Sequence, residues 1–217
     1  MNSIRKLNVL GINRIANTST TQKAPSPFWV IVKKEIADHI HSWRFIILVS
    51  IILLTCLGSL YTALTNIGDA IKSSSDASDN FLFLKLYTVS DSTMPSFYLF
   101  IGLLGPLMGI SLGFDAINSE QNRGTISRIL AQPIPRDFFI NAKFVASMIV
   151  VSVMLFALTF LVMGAGLIAI GIPPTAEEFI RIMSFTVISI VYIGFWLNLC
   201  IFLSIRFQQP ATSALSG

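Results

Sequence analysis

Four long runs of apolar residues constrain the fold of this chain of 217 residues more than any other feature. They lie at about 45–64, 97–114, 144–170 and 182–205, and the first contains no charged side chain. Because an α-helix rises about 1.5 Å per residue, each run is long enough to cross about 30 Å of hydrocarbon. The sequence therefore predicts an all-α, multi-pass transmembrane bundle with four spans.

The composition excludes a soluble globular enzyme, a disordered chain and a collagen-like chain. Only 12% of the residues are charged, 53% are hydrophobic, and the mean hydropathy is +0.73. A soluble domain has about 25% charged residues, which it needs to cover its surface. The pI of 9.3 does not indicate nucleic-acid binding here, because basic residues in membrane proteins concentrate in cytoplasmic loops.

The N-terminal region divides into a tail and an amphipathic helix. Residues 1–26 are polar and predict a flexible cytoplasmic tail. From residue 27 to about 42, Phe28, Val32 and Ile36 recur at intervals of four residues and form one apolar face. Such a helix is expected to lie in the membrane interface. Counted together with the spans, it gives a transmembrane domain that extends over 27–217.

The distribution of Lys and Arg predicts the orientation. With both termini inside, twelve of the fifteen basic residues fall in cytoplasmic segments and three in external ones. This bias places the loop 66–96 outside, where it is long enough to carry a small helical element, and the loop 115–143 in the cytoplasm. The expected location is the plasma membrane.

The second apolar run contains a G-x-S-x-G pattern at Gly109, Ser111 and Gly113. A serine hydrolase would require a strand-to-helix turn and a histidine base at this pattern, whereas here it lies in an apolar helix. Gly105 extends the spacing to three glycines at intervals of four residues. We interpret this face as a site where another helix approaches closely.

No metal or nucleotide site is predicted within the chain. The only histidines, His39 and His41, point to different helix faces at i, i+2 spacing and are interpreted as solvated interfacial side chains. The sequence lacks the G-x-x-x-x-G-K-[ST] phosphate loop. Any ATP must therefore be hydrolysed by a partner.

The loop 115–143 is polar but patterned. Gly124 is a suitable helix terminator, Thr125 can cap a new helix, and Pro133 ends it. Between them, an apolar face is predicted on a short helix exposed to the cytoplasm. Such a face needs a partner surface or the lipid interface, and docking of the helix in a groove is the natural mode. Its residues are Ile126, Ile129 and Leu130.

This pattern resembles the ABC-2 type permeases, the membrane subunits of ABC transporters. The resemblance covers roughly residues 28–210 and is greatest to the branch that includes the permease for nitrous-oxide-reductase maturation. The matching residues are Lys34, Glu35, Phe114, Asp115, Ala116, Ile117, Glu120, Arg123, Gly124, Thr125, Ile126, Leu130, Pro133, Arg136 and Lys143.

The resemblance implies a coupling helix at about 125–131 that seats in a cleft of a separate ATPase subunit. It also implies that 27–42 is an elbow helix, that two permeases form a homodimer or heterodimer, and that ATP and Mg²⁺ bind to the ATPase rather than to this chain. The family has six spans, so the last two are expected to be missing here. The candidate ATPase-coupling residues are Glu120, Arg123, Gly124, Thr125, Ile126, Ile129, Leu130, Pro133 and Arg136.

Three functions remain open from the sequence. The favoured one is a non-enzymatic permease subunit that moves a substrate, by export, with ATP hydrolysed by its partner. The alternatives are a membrane scaffold or assembly protein without transport, and an intramembrane enzyme acting through Ser111. No polar constellation in the spans indicates a substrate.

Overall fold

The computed structural model describes residues 27–73, 82–90, 95–114, 116–118, 124, 136–171 and 173–206. All regular secondary structure in these ranges is helical. The six helices are α1 (Pro27–Ile40), α2 (Trp43–Ser73), α3 (Leu82–Thr88), α4 (Phe97–Gly113), α5 (Arg136–Ile170) and α6 (Ala176–Arg206).

Three of these helices contain segments long and apolar enough to cross a membrane. The segments are Trp43–Asn66 in α2, Asp137–Ile170 in α5 and Ala176–Arg206 in α6. The predicted second span corresponds to α4, which is apolar but shorter, at 17 residues. The structure thus confirms the all-helical, multi-pass architecture, while the fourth crossing stays a prediction.

The long helices continue beyond the apolar runs that predicted them. α5 begins at Arg136 rather than near residue 144, and α6 begins at Ala176 rather than near residue 182. A helix satisfies its own backbone hydrogen bonds, so its ends need not coincide with the limits of an apolar run. The extensions bring charged residues, including Lys143 and Glu178, into helical positions.

The bundle is organised around two main helix pairs, α4 with α6 and α1 with α5. α2 packs against α4, and α5 packs against α6, so that one core runs through α2, α4, α5 and α6. Many large apolar side chains nevertheless remain on the outside, among them Leu54, Leu103, Ile168 and Phe195. This outward apolar surface is the arrangement expected of a protein whose solvent is lipid.

The loop predicted as external, 66–96, contributes α3 to the interior. Phe83, Leu86 and Tyr87 are all buried, and α3 packs against α2, α4, α5 and α6. Its apolar residues are too few to span a bilayer. Instead, they fill space between the longer helices.

A glycine ends α5 and turns the chain towards α6. Gly171 has φ of +77°, in the left-handed region that glycine adopts without steric cost. Its N–H donates to the carbonyl oxygen of Leu167 at 2.9 Å, which satisfies one of the last carbonyl groups of the helix. This sharp stop sets the start of α6 beside the end of α5.

Candidate coupling and packing sites

Three glycines leave one face of α4 without side chains where it meets α6. Gly105, Gly109 and Gly113 are all buried. A Cβ atom at Gly109 would lie 3.0 Å from the backbone oxygen of Ile193, and one at Gly113 would lie 2.9 Å from that of Leu197. Both distances are below ordinary van der Waals contact, so side chains here would push the two backbones apart. The glycine spacing therefore permits the close approach of α4 and α6.

Ser111 lies within the same uninterrupted helix, between two of these glycines. A hydrolase nucleophile in a G-x-S-x-G pattern sits on a strained turn between a strand and a helix. The backbone at 109–113 is helical throughout. The pattern is thus part of a packing face and does not form a nucleophile elbow.

α1 lies along the first turns of α5. Lys143 Nζ donates to Glu35 Oε2 at 2.8 Å, and His39 Nε2 is hydrogen-bonded to Ser147 Oγ at 3.0 Å. Both pairs are 108 residues apart in sequence, so the two helices run in the same direction and in step. We name this contact the α1–α5 clamp; its members are Val32, Glu35, His39, Ala142, Lys143, Ala146 and Ser147.

The ion pair of the clamp is almost completely removed from solvent. The side chains of Lys143 and Glu35 are 5% and 6% exposed, and Val32, Ala142 and Ala146 form a small apolar cluster at the same helix pair. Desolvating a single ion costs several kcal/mol, about the amount that a well-placed partner returns. Lys34 Nζ also lies 3.8 Å from Glu35 Oε1, but its side chain is 58% exposed. Lys143 is therefore the buried partner of Glu35, and this pair fixes the register between the helices.

The interpretation of His39 as a solvated side chain is wrong. The side chain is partly buried and bonds to Ser147. Its pKa is lowered from the ordinary value of 6.5, chiefly because burial disfavours the charged imidazolium. Glu35 and Asp38 oppose this shift of the pKa, and Lys143 adds to it.

His41, in contrast, is exposed, with Nδ1 2.8 Å from the carbonyl oxygen of Ala37. The two histidines therefore occupy different environments. In the part of the chain that the structure describes, no three His, Cys, Asp or Glu side chains are grouped so as to hold a metal ion.

A buried carboxylate joins α3 to the start of α6. Glu178 is 3% exposed. Its Oε1 accepts the backbone N–H of Phe83 at 2.9 Å, while Oε2 accepts the N–H of Thr175 at 2.9 Å and its hydroxyl at 3.0 Å. Thr175 Oγ1 accepts the N–H of Glu178 at 3.3 Å, which completes a capping box. We name this contact the α3 anchor; its members are Phe83, Leu86, Tyr87, Thr159, Thr175 and Glu178.

Hydroxyl groups extend the anchor into the bundle. Tyr87 Oη donates to the carbonyl oxygen of Thr159 at 2.9 Å. The hydroxyls of Thr159 and Thr186 are 3.0 Å apart, and Thr186 donates to the carbonyl oxygen of Ile182 at 2.9 Å. Thr159 is therefore the donor to Thr186, and this line of bonds ties α3, α5 and α6 together.

Most candidate coupling residues lie outside the described residues, and so does the predicted coupling helix at 125–131. They are Glu120, Arg123, Thr125, Ile126, Ile129, Leu130 and Pro133. Gly124 is described: it is exposed and has φ of +67°, a conformation that favours glycine. Arg136 is the first residue of α5, but its side chain is not among those described.

The chain that leaves α4 for this loop is held against two other helices. The N–H of Ile117 donates to Ser204 Oγ at 3.2 Å, and the Arg44 guanidinium lies 5.1 Å from the centre of the Phe114 ring. Asn118 is fully buried. The start of the loop is therefore fixed to the beginning of α2 and the end of α6.

The sequence contains a recognisable signal for part of the α3 anchor but none for the ion pair of the α1–α5 clamp. Thr175-x-x-Glu178 is a capping-box signature that could have been recognised, and it locates the start of α6. Nothing in the periodicity pairs Glu35 with Lys143, although both are among the residues that carried the family resemblance. Contacts across 108 residues depend on the fold rather than on a local pattern.

Comparison with known proteins agrees with the architecture. No curated protein matches the chain. The family described as ABC-2 family transporter protein matches residues 29–216, which include the α1–α5 clamp, the glycine face and the α3 anchor. The resemblance seen in the sequence is thereby confirmed for the family, though not for a branch within it. The chain belongs to the ABC-2 family transporter proteins.

Proposed function

We propose that the chain is the permease subunit of an ABC transporter, which exports a substrate using ATP hydrolysed by a separate ATPase subunit. The observation that carries this proposal is the family match over residues 29–216. The apolar outer surface and the three candidate spans agree with a membrane component.

We further propose that α4 is a fourth crossing. Its 17 residues would extend about 26 Å at about 1.5 Å per residue, close to the hydrocarbon thickness. Its packing along α6, itself a candidate span, supports this placement. With the N-terminus in the cytoplasm of a plasma membrane, the loop 115–143 faces the ATP-bearing side.

The part of the loop 115–143 that precedes α5, residues 115–135, is the proposed docking site for the ATPase. It connects α4, whose exit is fixed at Ile117 and Phe114, to α5, which begins at Arg136. Two permeases, identical or different, would complete the unit, with ATP and Mg²⁺ held by the ATPases. The motif residues support the proposal that the chain belongs to the nitrous-oxide-reductase maturation branch of the family.

The test is purification of the tagged protein from its native membrane in mild detergent, followed by an assay for ATP hydrolysis. Leu130→Asp places a charge on the predicted apolar face of the coupling helix. Ser127→Asp places the same charge on the polar face and is the matched control. We expect an ATPase to co-purify with the wild type and with the control, and to be lost from Leu130→Asp.

Equal recovery with both variants would contradict docking at this face. A wild-type preparation without any ATPase would instead favour the membrane scaffold, because a scaffold needs no nucleotide-dependent partner.

A further inference from the structure

The α1–α5 clamp joins two segments that the proposed mechanism would need to move together. The contact begins where the Phe28 and Phe138 rings meet edge to face, with centroids 6.1 Å apart, and continues to the bond between His39 and Ser147. α1 is therefore held along about three turns of α5 and not at a single point.

The chemistry of the clamp resists sliding. Displacing α1 by one turn would withdraw the carboxylate of Glu35 from the ammonium of Lys143. Lys143 would lose the carboxylate to which it donates, and Glu35 would keep only the weaker pair with the exposed Lys34, 3.8 Å away on the same helix. An apolar contact made by Val32 and Ala146 alone would have no such preference for one register. A buried polar contact that specifies register is a well-attested use of such groups.

The position of the clamp gives it a mechanical role. α5 starts at Arg136, directly after the loop proposed to bind the ATPase, and Lys143 follows about 10 Å further along the helix. α1 connects to α2 through only two non-helical residues, His41 and Ser42, and the N–H of His41 still donates to Ala37 O at 3.1 Å. α1 is thus in contact with the first turns of α5 at one side and directly connected to the start of α2.

We propose that Glu35 and Lys143 are positioning residues that make α1 and the first turns of α5 one rigid body, through which movement of the ATPase-binding loop reaches α2. This inference rests on the proposed function. It predicts that the ion pair and the distance between α1 and α5 persist through the ATPase cycle, while other helices rearrange.

The first experiment uses charge reversal in the complex of permease and ATPase. Glu35→Lys and Lys143→Glu each place two like charges together and should lower permease-dependent ATP hydrolysis about 10-fold, equivalent to about 1.4 kcal/mol. The double variant restores opposite charges and should recover to within about threefold of the wild type. The matched control is Glu177→Lys, which reverses the charge of an exposed side chain at the start of α6. It should have little effect on ATP hydrolysis.

The second experiment separates movement from folding. Cysteines replace Val32 and Ala142, which lie in one apolar cluster, in a chain with Cys56→Ala and Cys200→Ala, and a short bifunctional thiol reagent links them. If α1 and α5 move as one body, ATP hydrolysis by the linked complex should equal that of the unlinked complex. A chain with Val32→Cys alone, treated with the reagent, controls for modification.

The outcomes distinguish the two proposals. Inhibition by the link, or failure of the double charge reversal to recover in a complex that still holds its ATPase, would overturn the rigid-body proposal and leave the permease function standing. Absence of an ATPase from the wild-type preparation would remove both proposals. The positioning role is supported if the double variant recovers ATP hydrolysis and the link between residues 32 and 142 leaves ATP hydrolysis unchanged.

Discussion

The α1–α5 clamp and the α3 anchor each bury one carboxylate, but they satisfy it in different ways. Glu35 is paired with the charged side chain of Lys143, whereas Glu178 accepts the N–H groups of Phe83 and Thr175 and one hydroxyl. In the clamp, one mutation at Lys143 can delete the partner of the carboxylate. In the anchor, two of the groups that donate to Glu178 are backbone N–H groups, which mutations of Phe83 and Thr175 leave in place.

The largest effect should come from deleting one charge of the clamp. Lys143→Met removes the buried counter-ion of Glu35 and leaves it only the exposed Lys34, 3.8 Å away. This change should lower the free energy of unfolding by about 3–5 kcal/mol. The double variant Glu35→Leu, Lys143→Met removes both charges and should regain most of this loss. Unfolding in detergent–lipid micelles measures both; a double variant no more stable than the single one would show that packing, not charge, dominates the clamp.

A smaller loss is expected at the anchor. Glu178→Leu leaves the N–H groups of Phe83 and Thr175 without their acceptor and should cost about 3 kcal/mol, while Glu178→Gln keeps one carbonyl acceptor and should cost about half as much. Glu177→Gln is the control, because its pair with Arg181 is exposed and such pairs contribute about 0–1 kcal/mol. The same unfolding assay applies, and equal stabilities for Glu178→Leu and Glu177→Gln would show that the anchor does not hold α3.

The contact between the glycine face of α4 and α6 involves no charged side chain, so its stability effects can be compared with those of the clamp and the anchor. A Cβ atom at Gly113 would lie 2.8 Å from Cys200 Cβ and 2.9 Å from Leu197 O, so Gly113→Ala should cost about 1–3 kcal/mol. Gly102 in the same helix has no atom within 4 Å of the corresponding position. Gly102→Ala should therefore be neutral or slightly stabilising. Comparing the melting temperatures of Gly102→Ala and Gly113→Ala tests whether the glycine face of α4 sets the distance between α4 and α6.

The smallest expected effect is a pH dependence of stability that arises from His39 in the clamp. Because the pKa of His39 is lowered by burial, the unfolded chain takes up its proton first as the pH falls through about 6.5. Its contribution to stability is complete above that pH and declines below it, despite the opposing influence of Glu35 and Asp38. His39→Gln should lessen the loss of stability between about pH 7.5 and about pH 5.5. Unfolding measured across this pH range tests the prediction, and an unchanged profile for His39→Gln would place the titration elsewhere.

The sequence predicted the parts of the fold that depend on hydropathy alone. Apolar runs located α2, α4, α5 and α6, because side chains facing lipid must be apolar along a whole crossing. They did not locate the first residues of α5 and α6, Arg136 and Ala176, because the backbone bonds of a helix continue past the last apolar residue.

Contacts between distant elements were not predictable in the same way. The glycine spacing indicated that some helix packs on Gly109, but the fold alone identifies α6 as that helix. The pairing of Glu35 with Lys143 joins two elements that no periodicity connects. The burial of Leu86 depends on the missing side chain of Gly166, far along the chain.

The position of α3 also determines the order in which the protein can be assembled. Phe83 and Tyr87 precede their partners Glu178 and Thr159 by 95 and 72 residues. At a synthesis rate of about 5–20 residues per second, α3 leaves the ribosome on the order of 5–20 s before the residue that caps it. The part of its surface that packs against α5 and α6 must remain uncovered until those helices have been made, although α2 and α4 are present earlier. Complete docking of α3 is therefore a late step of biogenesis, although α3 is among the earlier parts of the chain to be made.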